Sequence, residues 1–307
     1  MTLQVHDNAS WSGAQPRLSV LIPFFRDDPT RLIHALDAQG AREVELVLLD
    51  DGGEDASLTQ RVRQALEAAT LPIRLVVLHE NAGRARGRNL LAEQARAEAL
   101  LFLDSDMLPD RPDFLHRWLT LAKAPSIGVA FGGFSLLQAP RDPRFAVHRA
   151  MALRSDCLPA AERMKTPEKY VYTSNLLVRR EVFDRISFAA DFTGWGWEDV
   201  EWAMRAADIS PIVHVDIPAT HMGLDPVEAL IGKYEQSAPN FARVVERHPE
   251  VIAAYPVHRA ARLIRRIPGR SLVRALCKAV ARLPVAPAGA RAFSLRLYRA
   301  ALYAEVV

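Results

Sequence analysis

Two carboxylates, Asp104 and Asp106, directly follow an apolar run at Leu101–Leu103 in this chain of 307 residues. Carboxylate oxygens are the ligands that Mg²⁺ and Mn²⁺ prefer, and such ions commonly also hold substrate phosphates. An ion bridging a diphosphate would neutralise charge that develops on a leaving group. The alternative explanation is a solvated Asx-type turn. The rest of the sequence must decide between a metal site and a turn.

A second candidate site lies between Gly194 and Trp202, where three tryptophans surround the carboxylates Glu198 and Asp199. The two carboxylates fall at a predicted helix start, where the positive end of the helix dipole favours anions. Flat indole rings suit the apolar faces of sugars, and a nearby carboxylate could act as general base on a hydroxyl. The alternative is an aromatic core beside capping acids.

Three arginines, Arg84, Arg86 and Arg88, alternate along a predicted helix that begins near Gly83. They cannot all share one helical face, so at least one is expected to enter a cleft, while Arg84 or Arg86 is expected in solvent. The glycine spacing is G-x-x-x-G, which disfavours a dinucleotide-binding turn. His221 follows the last predicted strand and could be either a structural histidine or a metal ligand.

The first half of the chain alternates short apolar runs with helical patterns, which predicts a mostly parallel sheet covered by helices. The predicted strands there are Leu18 to Phe24, Val44 to Leu49, Ile73 to Leu78 and Leu100 to Leu103. Ligands bind beyond the carboxyl ends of such strands. Polar clusters follow these ends at Arg26-Asp27-Asp28, Asp50-Asp51, Glu80-Asn81 and Asp104-Ser105-Asp106. The candidate residues are therefore expected along one edge of one sheet.

Composition argues against several classes of protein. A formal net charge of +3 gives no reason to expect a nucleic-acid partner. The two cysteines, Cys157 and Cys277, lie far apart and supply neither a disulfide framework nor a Cys-rich metal site. No signal-peptide pattern and no apolar run of about 20 residues occurs, which predicts a cytoplasmic location.

Together these motifs resemble the inverting family-two glycosyltransferases of the GT-A fold over about residues 17–225. The resemblance is carried by Val20-Leu21-Ile22-Pro23, Asp50-Asp51-Gly52, Asn81-x-Gly83 leading to Arg88-Asn89, Asp104-Ser105-Asp106, and Trp195-Gly196-x-Glu198-Asp199. The last segment is also similar to a motif of β-1,4-galactosyltransferases and bacterial chondroitin-type polymerases. The resemblance implies an α/β glycosyltransferase domain at 17–225, with a nucleotide-binding half at 17–107 and an acceptor-binding half at 108–225. An N-terminal tail at 1–16 and a basic helical extension at 226–307 would flank it.

The resemblance also implies a role for each matching residue. The implied nucleotide-sugar contacts are Pro23, Phe24, Arg26, Asp51, Asn81, Gly83, Arg88, Asp104 and Ser105. The implied acceptor or sugar contacts are Trp195, Gly196, Trp197 and Asn175. The implied ligands of Mn²⁺ or Mg²⁺ are Asp106, His221 and Asp104. Asp199 would be the general base, and Glu198 would hold a sugar.

The implied activity is metal-dependent transfer of a hexose or N-acetylhexosamine, galactose-type favoured, from a UDP-sugar to a glycan or lipid-linked acceptor with inversion. Surface polysaccharide or glycolipid synthesis is the expected setting. A nucleotidyltransferase of similar fold and a non-catalytic sugar-binding pseudo-enzyme are the alternatives. Two departures stand out. Trp197 replaces the glycine of the galactosyltransferases, which predicts an altered acceptor subsite, and Phe24-Phe25 replaces the usual polar residue after Pro23.

The segment beyond Pro226 lies outside the resemblance and is predicted to be helical. Eleven Lys or Arg and no acidic residue occur between Arg259 and Arg299. An apolar stripe is formed by Leu272, Val273, Leu276, Val280 and Leu283, beside Arg274, Lys278 and Arg282. This pattern fits either a helix lying on an anionic membrane leaflet or a helix packed on the domain with its arginines in water. The first would make the protein peripheral on the inner face of the cytoplasmic membrane.

Overall fold

A computed structural model describes residues 3–307 as alternating strands and helices followed by a helical C-terminal region. The strands are β1 (Leu3–Asp7), β2 (Leu18–Phe24), β3 (Val44–Asp50), β4 (Ile73–Leu78), β5 (Ala99–Leu103), β6 (Met107–Pro109), β7 (Val129–Phe131), β8 (Phe134–Ser135), β9 (Asn175–Arg179), β10 (Ile212–His214) and β11 (Ala219–His221). The helices are α1 (Thr30–Asp37), α2 (Ala56–Ala68), α3 (Arg84–Gln94), α4 (Phe114–Ala122), α5 (Ala146–Ala152), α6 (Ala160–Arg163), α7 (Arg180–Arg185), α8 (Glu198–Ala207), α9 (Val227–Arg247), α10 (Pro249–Ala253), α11 (Pro256–Arg265), α12 (Arg270–Arg282) and α13 (Ala288–Tyr303).

The main sheet has eight strands in the order β1-β4-β3-β2-β5-β9-β7-β10. Strands β2 to β5 run parallel, and β9 inserts antiparallel between β5 and β7. The predicted mostly parallel α/β sheet is therefore confirmed. The prediction of a tail at 1–16 is corrected, because Leu3–Asp7 pairs with β4 as an antiparallel edge strand. Apolar and polar residues alternate in this strand, so the segment lacks the continuous apolar run by which the other strands were predicted.

Helices cover both faces of the sheet, because alternate residues of each buried strand point to opposite faces. Val20 and Ile22 of β2 pack in the core formed with α1, α2 and α4. Leu21 packs in the second core, formed with α3, α7 and α8. This double covering explains why the strands read as continuous apolar runs. It also leaves the carboxyl-terminal strand ends as the place where polar side chains gather.

A small second sheet, with strand order β6-β11-β8, extends from this polar edge. Strand β6 begins directly after Asp106, and β11 ends at His221. The antiparallel register pairs His221 with Met107. The register thereby brings His221 beside Asp106, although 114 residues of chain separate them in the sequence.

The C-terminal helices are built into the molecule by two apolar clusters. Phe241 of α9 stacks on Tyr303 of α13 with ring centroids 4.1 Å apart, in a cluster that includes Val200 of α8. A second cluster joins α9, α12 and α13 to Met151 of α5. Within residues 3–307, no helix combines the length and the apolar character needed to cross a bilayer.

Helix α12 packs on the domain through Cys277 and Ala281, but most of its apolar stripe takes no part in this contact. Its apolar stripe faces outward, with Leu272 63% exposed and Leu276 57% exposed. Its basic residues do not lie free in water, because Arg274, Lys278 and Arg282 form ion pairs with carboxylates. The buried side of α12 is instead formed by the small residues Cys277 and Ala281. Sequence periodicity shows that the helix has an apolar stripe, but it does not show whether that stripe faces the domain or the solvent.

Candidate active site

Two loops at the ends of β3 and β4 are locked together by the side chain of Asp51. Its carboxylate accepts hydrogen bonds from the backbone N–H of Ala82 (2.7 Å) and Gly83 (3.1 Å), and the Asn81 amide donates to its backbone carbonyl (2.9 Å). Gly52 has φ +71°, and a Cβ there would collide with the backbone of Asn81. Burial raises the pKa of Asp51 despite these hydrogen bonds. The carboxylate thus shapes the loop, and a nucleotide contact by Asp51 stays a prediction.

The end of β2 corrects the prediction for Phe24. Strand alternation sends Phe24 into the core, where it is 2% exposed, while Phe25 is 39% exposed. The Arg26 guanidinium lies 4.8 Å from the Phe25 ring centroid. The exposed aromatic ring at this strand end is therefore that of Phe25. Pro23, two residues earlier, is half-buried, and Arg26, the next residue, is exposed.

Arginines of α3 connect the Asp104 turn to the start of α8. Arg88 is almost fully buried and its guanidinium lies 2.6 Å from Oδ1 of Asp104. Arg84 Nε donates to Oε1 of Glu198 at 2.6 Å, and its Nη2 lies 4.0 Å from Oδ2 of Asp104. Arg86 is exposed, in agreement with the prediction that one arginine is solvated. Arg84 and Arg88 both contact acidic residues of the candidate site, where at least one arginine was expected.

The two carboxylates at the start of α8 have opposite pKa shifts. Burial favours the neutral form of Glu198, but the charges of Arg84 and Arg88 outweigh it and lower the pKa of Glu198. Burial and the neighbouring Glu198 charge raise the pKa of Asp199 to about 7, against the charge of Arg84. Paired groups whose pKa values are driven apart are typical of acid–base sites. Asp199 can exchange a proton near neutral pH, while Glu198 stays ionised.

Asp106 and His221 form the best candidate metal ligands. Oδ2 of Asp106 lies 3.2 Å from Nε2 of His221. Burial opposes ionisation of both, yet their mutual hydrogen bond and charge lower the pKa of Asp106 and raise that of His221. Adjacent ligands of an octahedral ion at roughly 2.1 Å would lie about 3.0 Å apart, so the pair fits one divalent ion.

Of the three predicted metal ligands, Asp106 and His221 are placed to share one ion, whereas Asp104 is not. No group of three or more His, Cys, Asp or Glu side chains in the described part of the chain is arranged to hold a metal ion. Asp104 directs Oδ1 to Arg88 instead, and Ser105 is half-buried between the two aspartates. Any further ligands would come from water or substrate phosphate, as is common for Mg²⁺.

Several charged residues around this pair were missed by sequence reasoning. Lys233 Nζ lies 2.6 Å from Oδ2 of Asp225, and the backbone N–H of Asp225 donates to Nδ1 of His148 (2.8 Å). Burial, and then the charge of Asp106, raise the pKa of Asp27. Lys233 belongs to α9, outside the segment that carries the resemblance, and no motif marks it. Among these residues, only Asp27 belongs to a polar cluster that the sequence analysis placed at the end of a strand.

The two tryptophans that precede α8 lie in different surroundings, Trp195 near Lys233 and Trp197 among the C-terminal helices. Trp195 is half-buried, with Lys233 Nζ 5.9 Å from its ring. Trp197 adopts φ +77° and its indole N–H donates to the Tyr303 hydroxyl (2.8 Å). Asn240 donates to the backbone carbonyl of Gly196 (2.9 Å). The prediction of an acceptor contact for Trp197 is corrected, because this ring packs among C-terminal helices.

Asn175 also lies away from any cleft. Its side chain is fully buried, and its amide donates to the backbone carbonyls of Gly133 and Ile217, both at 2.9 Å. The predicted sugar contact of Asn175 is therefore corrected. The amide instead ties β9 to the segments that lead into the small sheet.

Comparison with known proteins identifies the family. The model for Glycosyl transferase family 2 matches residues 19–187, which is more than half of the chain. The chain belongs to glycosyl transferase family 2. The matched segment contains the aspartate turn after β5 and all three arginines of α3, but it ends before the tryptophan segment and α8.

Individual relatives match shorter segments of the chain. A Bacillus subtilis glycosyltransferase, TuaG, whose name assigns it to teichuronic acid biosynthesis, is 30% identical over 131 residues, covering 42% of this chain and 51% of its own. Validoxylamine A glucosyltransferase of Streptomyces hygroscopicus subsp. limoneus is 28% identical over 219 residues, covering 62% and 48%. The chain therefore spans about half the length of these relatives.

Solved structures share the fold over nearly the whole chain. The Pyrobaculum calidifontis mannosyltransferase PcManGT, in complex with GDP-Man and Mn²⁺, has a TM-score of 0.57 at 17% identity, covering 97% of this chain and 89% of its own. Residues 1–349 of S. aureus TarS, in complex with UDP, have a TM-score of 0.51 at 16% identity, covering 92% and 89%. This likeness identifies the sheet and its helices as the GT-A fold.

Gly223 provides a test of the Asp106–His221 pair. An alanine Cβ at 223 would collide with the Asp106 carboxylate, so Gly223→Ala must displace Asp106 from His221. We expect this variant to weaken Mn²⁺ binding in the presence of UDP by about tenfold or more, as for other changes next to metal ligands. Calorimetric titration of Mn²⁺ measures the change. Gly232→Ala in α9 is the matched control, because a Cβ there meets nothing within 4 Å; equal losses in both variants would contradict the assignment.

Proposed function

We propose that this family-two glycosyltransferase moves a hexosyl or N-acetylhexosaminyl group from a UDP-sugar to a hydroxyl of a glycan or glycolipid acceptor, with inversion. The observation that carries the proposal is the position of Arg84 between Asp104 and Glu198. One cationic side chain thereby connects the turn that would face the donor diphosphate with the helix that bears the candidate base. Positioning of two reactants in this way can itself supply several kcal/mol of barrier reduction.

Donor binding would use the positive charges along the sheet edge. Arg84 and Lys233 are the partly accessible cations near Asp106, and Arg88 holds Asp104 in place. A Mn²⁺ or Mg²⁺ ion held by Asp106 and His221 would neutralise charge on the diphosphate oxygens. The exposed Phe25 and Arg26 would contact the nucleoside end of the donor, with the loops fixed by Asp51 beneath it.

Transfer would occur in a single displacement. The acceptor oxygen forms a bond to the anomeric carbon while the bond from that carbon to the diphosphate oxygen breaks, which inverts the configuration. The acceptor proton passes to Asp199, and the bond electrons leave with UDP. The raised pKa of Asp199 suits this role, since a general base works best when its pKa lies near the working pH.

For the transferred sugar and for the acceptor, the observations support a class of compound but no single compound. Similarity of Trp195–Asp199 to galactosyltransferases favours galactose, and the half-buried Trp195 could stack on a sugar face. The relatives are named for glucosyl and mannosyl transfer, which supports a hexose in general. The name of TuaG, for teichuronic acid biosynthesis, supports a surface-polysaccharide acceptor.

The first experiment is a calorimetric screen of UDP-galactose, UDP-glucose, UDP-N-acetylglucosamine and GDP-mannose, each with and without Mn²⁺. We expect Mn²⁺-dependent binding of a UDP-sugar that is lost in Asp106→Ala and kept in Asp113→Ala, an aspartate whose side chain is 45% exposed and pairs with Arg111. Release of UDP on incubation with acceptor glycans would support transfer. Release of pyrophosphate would indicate a nucleotidyltransferase instead, and binding without any turnover would indicate a pseudo-enzyme.

Replacement of the candidate base should separate binding from chemistry. We expect Asp199→Asn to lower the turnover number by about 100-fold or more, because a general base typically contributes that much, while donor affinity stays within about twofold. Steady-state kinetics and donor titration measure the two effects. Asp208→Asn, at the exposed far end of α8, is the matched control. A near-normal rate for Asp199→Asn would remove this residue as the base.

The rate should depend on pH through Asp199. Its pKa is raised to about 7, and only the ionised form accepts a proton, so kcat should fall as pH drops below about 7. Glu198→Gln removes the neighbouring negative charge that contributes to the raised pKa, and should therefore move this acidic limb to lower pH. The readout is the midpoint of the pH–rate profile, which loss of activity alone would not shift. An unchanged midpoint in Glu198→Gln would contradict the proposed coupling.

A further inference from the structure

Most of the large apolar residues of helix α12 lie on its outer side, and its buried residues are the small Cys277 and Ala281. Cys277 and Ala281 are buried against α13, and the Ser294 hydroxyl donates to the Cys277 carbonyl at 2.9 Å. The opposite side carries four large residues at helical spacing, which we call the outer face of α12. The outer face consists of Leu272, Leu276, Val280 and Leu283, each at least 40% exposed. A helix that only covers the domain would have the reverse arrangement.

Packing fixes this orientation of α12. Its inner side fits closely because Cys277 and Ala281 are small, so rotating the leucines inward would overfill the space. On its flank, Lys278 lies 2.9 Å from Glu235 and Arg282 lies 2.6 Å from Glu228. Such surface pairs are individually weak, but they act in the same direction as the packing. The outer face is therefore a stable feature of the fold.

Uncompensated positive charge adjoins the outer face. Residues 251–304 contain no Asp or Glu. Four exposed arginines lie in the last turn of α11, directly after it and at the start of α12. These are Arg262, Arg265, Arg266 and Arg270, and none has a carboxylate within ion-pair distance among residues 3–307. An apolar strip beside such arginines is complementary to a bilayer surface with anionic headgroups.

We propose that the outer face of α12 binds the surface of an anionic lipid bilayer, with its leucines at the boundary between headgroups and acyl chains and Arg262–Arg270 among the headgroups. A second copy of the chain suits this surface less well. A two-fold interface on the outer face would bring the same uncompensated arginines of both copies together. The proposal does not depend on the transfer reaction.

The candidate active site would stay open on such a membrane-bound molecule. Glu228 and Glu235, the partners of α12, are seven residues apart and share one face of α9. Lys233, which lies beside Trp195 and Asp225, is about half a turn away from them on the same helix. Helix α9 therefore separates the membrane-binding surface from the site, and the two do not compete for space.

Flotation with vesicles tests the proposal. We expect the full-length protein to float with phosphatidylglycerol-containing vesicles, and Leu272→Glu/Leu276→Glu to lower the partition coefficient at least about tenfold, because membrane affinity scales with buried apolar area. The matched control is Leu3→Glu/Val5→Glu on β1, which has the same charge change at two exposed apolar positions. Equal loss in both double variants, or no loss in the α12 variant, would overturn the proposal.

Two further measurements distinguish the other occupants. Arg266→Gln/Arg270→Gln should weaken binding of the protein to anionic vesicles. The wild-type protein should bind poorly to vesicles of pure phosphatidylcholine. Equal binding of the wild type to both vesicle types would overturn the role of the arginines.

Sedimentation of the wild type and the α12 variant reports self-association. A dimer that dissociates in the α12 variant, without vesicle binding by the wild type, would assign the outer face to a second copy. The thermal unfolding midpoint of Leu272→Glu/Leu276→Glu should equal that of the wild type, because both side chains are exposed on the folded protein.

Discussion

The site depends on the ionic contacts that two arginines of α3 make with carboxylates from distant parts of the chain. Arg88 is buried and lies 2.6 Å from Oδ1 of Asp104, and this contact matters because a buried charge without a partner would cost several kcal/mol. Arg84 holds Glu198 ionised, and the Glu198 charge in turn helps to raise the pKa of Asp199 to about 7. The raised pKa of Asp199 therefore reflects its burial first and the Glu198 charge second, and both outweigh the opposing charges of Arg84 and Arg88.

The sequence predicted the part of this arrangement that local patterns encode. Continuous apolar runs identified β2 to β5, and acidic residues directly after them placed Asp51 and Asp104 at one sheet edge, as observed. Local patterns could not show that Phe24 turns inward, since the next residue is an equally apolar phenylalanine. They also could not find Lys233, because α9 reaches the site only through tertiary packing of a segment without a recognisable motif.

Trp197 shows how the C-terminal helices contribute to the site. A non-glycine residue at φ +77° costs about 1–3 kcal/mol and persists only where its surroundings hold it. Here its indole donates to Tyr303 and packs on Phe241 at 4.9 Å between ring centroids. The left-handed turn immediately precedes Glu198, so the same contacts set the direction from which α8 begins. The helices beyond residue 226 thus help to position the carboxylates, although the family resemblance ends before them.

In the proposed site, the pair formed by Asp106 and His221 would impose an order on metal and donor binding. Two protein ligands leave most positions of an octahedral ion to water or phosphate, so the ion would be held weakly until the donor arrives. The pair also retains a proton strongly, because each partner favours the charged form of the other, and a metal ion must displace that proton. A donor diphosphate supplies additional ligands and negative charge that favour the ion over the proton. Metal and donor should therefore bind cooperatively, each completing a site that the chain alone leaves only partly formed.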